Sequence, residues 1–98
     1  MIKVLIKDNF ISLKGHANYD EYGKDIVCAS VSSIITTSIN DMMSINKDAV
    51  NYNDDKIELS ISIIKDDILV KKLFENLKEL LSSLEKDYPK NIKIERKD

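Results

Sequence analysis

The chain of 98 residues has no tryptophan, one proline, two glycines, one cysteine and one histidine. A single cysteine forms no intrachain disulfide, so the fold must rest on an apolar core, and the sparing use of cysteine suggests a reducing compartment. Two glycines cannot build a glycine-rich phosphate loop. One His and one Cys without paired spacing argue against a zinc site, and no metal or other cofactor is expected. No run approaches 18 uninterrupted apolar residues, and the N-terminus lacks the charged-then-apolar pattern of a signal peptide, so neither a membrane span nor export is expected. Of the 15 basic residues only Arg96 is arginine, and the net charge is −2. The lysines are scattered among carboxylates, which argues against direct nucleic-acid binding.

The composition is that of a globular protein, 43% apolar and 33% charged, and the length fits one domain over residues 1–98 with a single modest core. Residues 2–7 read as a strand, Asp8-Asn9 as a two-residue turn and residues 10–14 as a second strand. The positions Val27, Val31, Ile34, Ile35, Ile39 and Met42 recur at three- and four-residue steps, which predicts a helix from Ile26 to about Ile45 despite its β-branched residues. A short extra strand at 49–52 and a turn at 53–55 precede a strand over 56–64. There Ile57, Leu59, Ile61 and Ile63 alternate with polar residues and are expected on the buried face. Asp66 or Asp67 caps a second helix with the stripe Val70, Leu73, Phe74, Leu77, Leu80, Leu81 and Leu84. Pro89 ends it, and residues 92–95 close the chain as a strand. The fold class is α+β, in the order β-β-α-β-α-β, with a mostly antiparallel sheet and both helices packed on one face.

The only His and the only Cys flank a polar segment, Ala17 to Lys24, that has no apolar period. Cys28 falls in the first turn of the first helix. A helix N-terminus favours anions, and the thiolate is the nucleophilic form of cysteine. Asp25 is placed to cap the helix or to orient an imidazole, and first-turn amides are candidate oxyanion donors. His16 follows Gly15 at the end of the second strand and needs only the eight-residue segment to return beside Cys28. Ser32 lies one helical turn beyond Cys28 on the same face. The residue types alone equally allow a small buried thiol, a turn histidine and a serine bonded to a helix carbonyl.

Gly15-His16-Ala17 and Asp25-Ile26-Val27-Cys28-Ala29, separated by the polar segment and followed by Val31-Ser32, resemble the signature of the bacterial ribosomal-processing cysteine proteases. Position 30, often Ala or Gly in that family, is Ser here. The resemblance extends over essentially the whole chain. It implies a cysteine endopeptidase with a His16/Cys28 dyad that removes the N-terminal extension of large-subunit ribosomal protein twenty-seven in ribosome assembly. Gly15 and Ser32 would support the site. Tyr19, Tyr22 and Gly23 would belong to a lid over an extended peptide. A homodimer is implied as well, and the single cysteine with no signal-peptide pattern is read as a cytoplasmic location. The rival expectation is a non-enzymatic ribosome-associated binding or dimerisation module in which Cys28 is inert.

Overall fold

Alternating branched residues at the start of the chain build a hairpin, β1 (Ile2–Lys7) and β2 (Phe10–Lys14), joined by the turn at Asp8-Asn9. The structure, a computed structural model, describes residues 1–15, 25–55 and 57–97. After the hairpin come α1 (Asp25–Asn46), a short 3₁₀ turn, β3 (Val50–Asp54), β4 (Glu58–Ile63), α2 (Ile68–Asp87) and β5 (Ile92–Arg96). The five strands form one sheet in the order β3-β4-β2-β1-β5, antiparallel except for the pairing of β1 with β5. An α+β fold with a mostly antiparallel sheet is therefore observed.

Two strands separate the helices, the first of them being the short extra strand, and the difference from expectation lies in its length. The short strand expected at 49–52 runs on through Asn53 and Asp54, where turn-forming residue types suggested a bend. Pairing of Asn53 with Ser60 and Asp54 with Leu59 keeps them extended. The turn falls instead on Asp55, whose Oδ1 accepts from the N–H groups of Ile57 (3.0 Å) and Glu58 (2.8 Å).

The side-chain period of two sorts the sheet into faces. Paired residues share a face, so Val4 and Leu13, Ile6 and Ile11, and Ile11 and Ile61 lie together on the helix side and are buried. From α1 the stripe Val27, Val31, Ile35, Ile39 and Met42 packs into this core, and from α2 Val70, Phe74, Leu77 and Leu81 do so. The helices pack against each other, α1 towards β3 and α2 towards β5. Ile26 to Asn40 carries no charge, and α1 with its following turn is long and apolar enough to cross a membrane by length and composition alone. Its exposed positions include Ser32, Ser33, Thr36, Thr37 and Asn40 as well as Ile26, Met43 and Ile45, and its branched stripe packs into the core.

Of the polar anchors that fix α2, one ties it to the end of α1 and a second to the β1–β2 turn. The Oδ1 of Asp67 accepts from the N–H groups of Leu69 and Val70, both at 3.1 Å, while its Oδ2 accepts from Asn46 Nδ2 at the end of α1 (3.1 Å). The bond from Val70, then that from Asn46 and that from Leu69, hold the Asp67 carboxyl below the ordinary Asp range. A folded-state value below the unfolded one stabilises the protein above the unfolded pKa, near 4, and the contribution is lost as pH falls through the folded value. The urea midpoint is therefore expected to fall as pH is lowered below about 4, and to fall less steeply in Asp67→Asn. A titration in which the two proteins lose stability in parallel would contradict the cap's role.

The second anchor is Lys78, buried along its stem with only 8% exposure. Its Nζ donates to the carbonyl oxygen of Asp8 (2.9 Å) and to Glu75 Oε2 (2.7 Å), and sits 5.1 Å from the ring centroid of Phe74. This ties α2 to the β1–β2 turn. Lys78→Ala is expected to cost about 2 kcal/mol through the lost charged hydrogen bonds and stem packing, read as a lower urea midpoint at unchanged slope.

Candidate active site

Cys28 is the fourth residue of α1 and lies in its first turn. Helix geometry leaves first-turn N–H groups without intrahelical partners, so this end of α1 is suited to a negatively charged group. Cys28 is half-buried and packs on the edge of the core. Its neighbour Val27 is buried at 1% exposure, which fixes the rotation of the helix and thereby the face on which Cys28 sits.

Gly15 ends β2 at the same end of the sheet. Its φ of +85° is one that residues with a Cβ rarely adopt, and a Cβ built there would stand 2.5 Å from the backbone oxygen of Met1. The glycine thus lets the end of β2 lie directly against the start of β1.

Between this end of the sheet and α1 opens a cleft of about 290 Å³. The helix lines it with Cys28, Val31, Ser32, Ile35 and Thr36, and the sheet with Ile2, Leu13, Gly15 and Leu59. Three of the residues singled out in the sequence, Gly15, Cys28 and Ser32, therefore meet at one cleft. Ser32 is exposed, one turn beyond Cys28. His16, Tyr19, Tyr22 and Gly23 lie outside the described residues. Gly15, which lines the cleft, precedes their segment in the chain, and Asp25, in the first turn of α1 with Cys28, follows it. Asp25 is the first helical residue, and the capping or orienting role expected of its side chain lies outside the described residues. Among the described residues no three His, Cys, Asp or Glu side chains converge as metal ligands.

The remaining wall comes from the β3–β4 hairpin, through Tyr52, Asp54 and Ile57. The sequence marks none of these as a site residue. Ile57 continues the alternation of β4 and was expected to be buried, yet it is 79% exposed. It precedes the first paired residue of β4 and ends at the cleft rather than beneath a helix. The Asp55 turn holds it there. Hydrogen bonds from the N–H groups of Glu58 first and Ile57 second lower the Asp55 pKa, so the turn is fixed in the ionised state of that carboxylate. An exposed isoleucine beside a cysteine-bearing cleft is the signal that only the structure supplies.

A half-buried thiol at a helix N-terminus, opening on a cleft with an apolar floor and a polar helical rim, suits nucleophilic attack on a carbonyl of an extended chain. Comparison with known proteins agrees. Residues 1–93 match the family model of the cysteine protease Prp. The chain is 32% identical over 96 residues to the ribosomal processing cysteine protease Prp of Mycoplasma genitalium, covering 96% of this chain and 94% of that protein. Among solved structures it is similar to the ribosomal processing protease Prp of Staphylococcus aureus in complex with a substrate peptide. That match has a TM-score of 0.87 and 25% identity, and covers 99% of this chain and 100% of the other. The Staphylococcus aureus protease in complex with a covalently linked product peptide matches with a TM-score of 0.83 and 26% identity, over 99% and 100% of the two chains. With its family model matched over nearly its whole length and its fold in agreement, the chain belongs to the cysteine protease Prp family and is a cysteine protease.

Proposed function

We propose that this protease removes the N-terminal extension of large-subunit ribosomal protein twenty-seven during ribosome assembly, with Cys28 as nucleophile and His16 as its base. The observation that carries the reading is the convergence of Cys28, Gly15 and Ser32 on one cleft, with His16 next to Gly15 in the chain. His16 takes the thiol proton as the Cys28 sulfur attacks the scissile carbonyl carbon. The tetrahedral oxyanion is met by first-turn amides of α1. Collapse breaks the C–N bond, His16 hands its proton to the leaving amine, and a thioester remains on Cys28. Water, losing a proton to His16, then attacks the thioester, and the carboxylate leaves as the thiol is restored.

In this reading Asp25 caps α1 or orients the imidazole, and Tyr19, Tyr22 and Gly23 belong to a lid over the peptide. The protein works in the cytoplasm as a homodimer. Its substrate contact is with the extension peptide and not with nucleic acid. The test is incubation with full-length ribosomal protein twenty-seven of the same organism, with product masses determined. One cut that releases the N-terminal extension is expected. Uncut substrate at equimolar protease, with the two proteins bound to each other, would favour the non-enzymatic binding module.

A further inference from the structure

Among the described residues β3 is the first strand of the sheet order and is paired on one side only, with β4. The direction of its backbone groups follows from two hydrogen bonds at its ends. Ile64 N–H donates to the Ala49 oxygen (2.8 Å) and Asp55 N–H to the Glu58 oxygen (3.3 Å). In an antiparallel ladder hydrogen-bonded pairs alternate with pairs that are not. Residues 49, 51, 53 and 55 thus direct their N–H and C=O groups at β4, while those of Tyr52 point away from the sheet. Tyr52 is paired in register with the buried Ile61, so its side chain is on the helix side, where it lines the cleft with Cys28.

A backbone donor and acceptor thus face outward on the strand that walls the nucleophile's cleft. Opposite, Cys28, Ser32 and Thr36 follow one another at steps of four along α1 and line the same cleft. Eight helical residues rise about 12 Å, the length of three to four residues of extended chain at about 3.4 Å each. The far edge of the sheet, β5, lies on the α2 side, and none of its residues lines the Cys28 cleft.

We propose that the substrate is captured as an added strand on β3. The N–H and C=O of Tyr52 pair with the peptide backbone, and the extended peptide runs between β3 and α1 past Cys28. This rests on the protease reading and adds to it how the substrate is held. Capture of this kind draws affinity from main-chain hydrogen bonds and orients the scissile carbonyl by register. It requires an unfolded, extended substrate segment, which sets the substrate class as a flexible chain terminus or linker and not a folded loop.

The test is a scan of the junction peptide of ribosomal protein twenty-seven, N-methylated at one residue at a time. At alternate residues along one side of the scissile bond, methylation is expected to lower kcat/KM about tenfold or more, chiefly through KM, with changes within about twofold at the residues between. Amide hydrogen exchange of the Cys28→Ala protein supplies a second readout. With unmodified peptide bound, the Tyr52 N–H is expected to slow at least about tenfold, while Asn53, already directed at β4, is unchanged. Methylation tolerated except beside the scissile bond, or an unaltered Tyr52 amide with peptide bound, overturns the proposal. If wild type fails to cut the unmodified peptide, the assignment of ribosomal protein twenty-seven as substrate falls. Protection of Tyr52 in Cys28→Ala then still decides strand capture, and a peptide that neither binds nor is cut removes both.

Discussion

Replacing Cys28 by Ala is expected to lower kcat/KM for the junction peptide by about 10⁴-fold or more, with the fold and the affinity for the peptide retained. The size follows from the role, since no other nucleophile lies beside Cys28 on α1 except the hydroxyl of Ser32 one turn away, which lacks the thiol's ease of ionisation. Retention of the fold follows from the packing. Cys28 is half-buried at the margin of the core, and exchange of its sulfur for hydrogen leaves no enclosed cavity of the kind that makes core truncations costly. Peptide affinity, measured by isothermal titration, separates this outcome from general damage. Loss of cleavage with loss of binding would assign Cys28 to the architecture of the cleft instead of its chemistry.

Gly15→Ala is expected to destabilise the protein by about 3 kcal/mol and to lower activity at least about tenfold. Two effects act at the same atom. A φ of +85° is unfavourable for alanine, and its Cβ would stand 2.5 Å from a backbone oxygen of Met1. Backbone cannot rotate out of the way as a side chain does. Relief therefore requires the start of β1 to shift, carrying Ile2, which is 5% exposed and lines the cleft. The effect on catalysis is expected beyond that on stability, because Gly15 immediately precedes His16. Measured urea midpoints and cleavage rates that both match wild type would show that the β1–β2 contact does not set the site.

Where sequence and structure agree, a strong local signal coincided with burial. The β1–β2 hairpin, the period of two in Leu59, Ile61 and Ile63, and the α2 stripe ending near Pro89 are of this kind. So is α1, whose apolar spacing outweighed the low helix propensity of its valines, isoleucines and threonines. The end of β3 was misread because Asn53 and Asp54 favour turns locally, and only pairing with β4 makes them extended. The cleft was half legible. Gly15, Cys28 and Ser32 could be named from a motif, since they come from the end of one strand and the start of the next helix. Tyr52, Asp54 and Ile57 could not, because they reach the cleft through the strand order β3-β4-β2, which no local pattern encodes. Ile57 shows the limit of alternation as a guide. Parity gives the face on which a residue lies, while burial depends on whether an element covers that part of the face.

The proposed activation of Cys28 by His16 is tested most directly by the rate at which iodoacetamide alkylates Cys28 at pH 7 in the wild type and in His16→Ala. With one cysteine in the chain, the mass increase reports this site alone. A paired imidazole predicts labelling at least about tenfold faster in the wild type than in the variant. Equal rates in the two proteins would contradict the dyad.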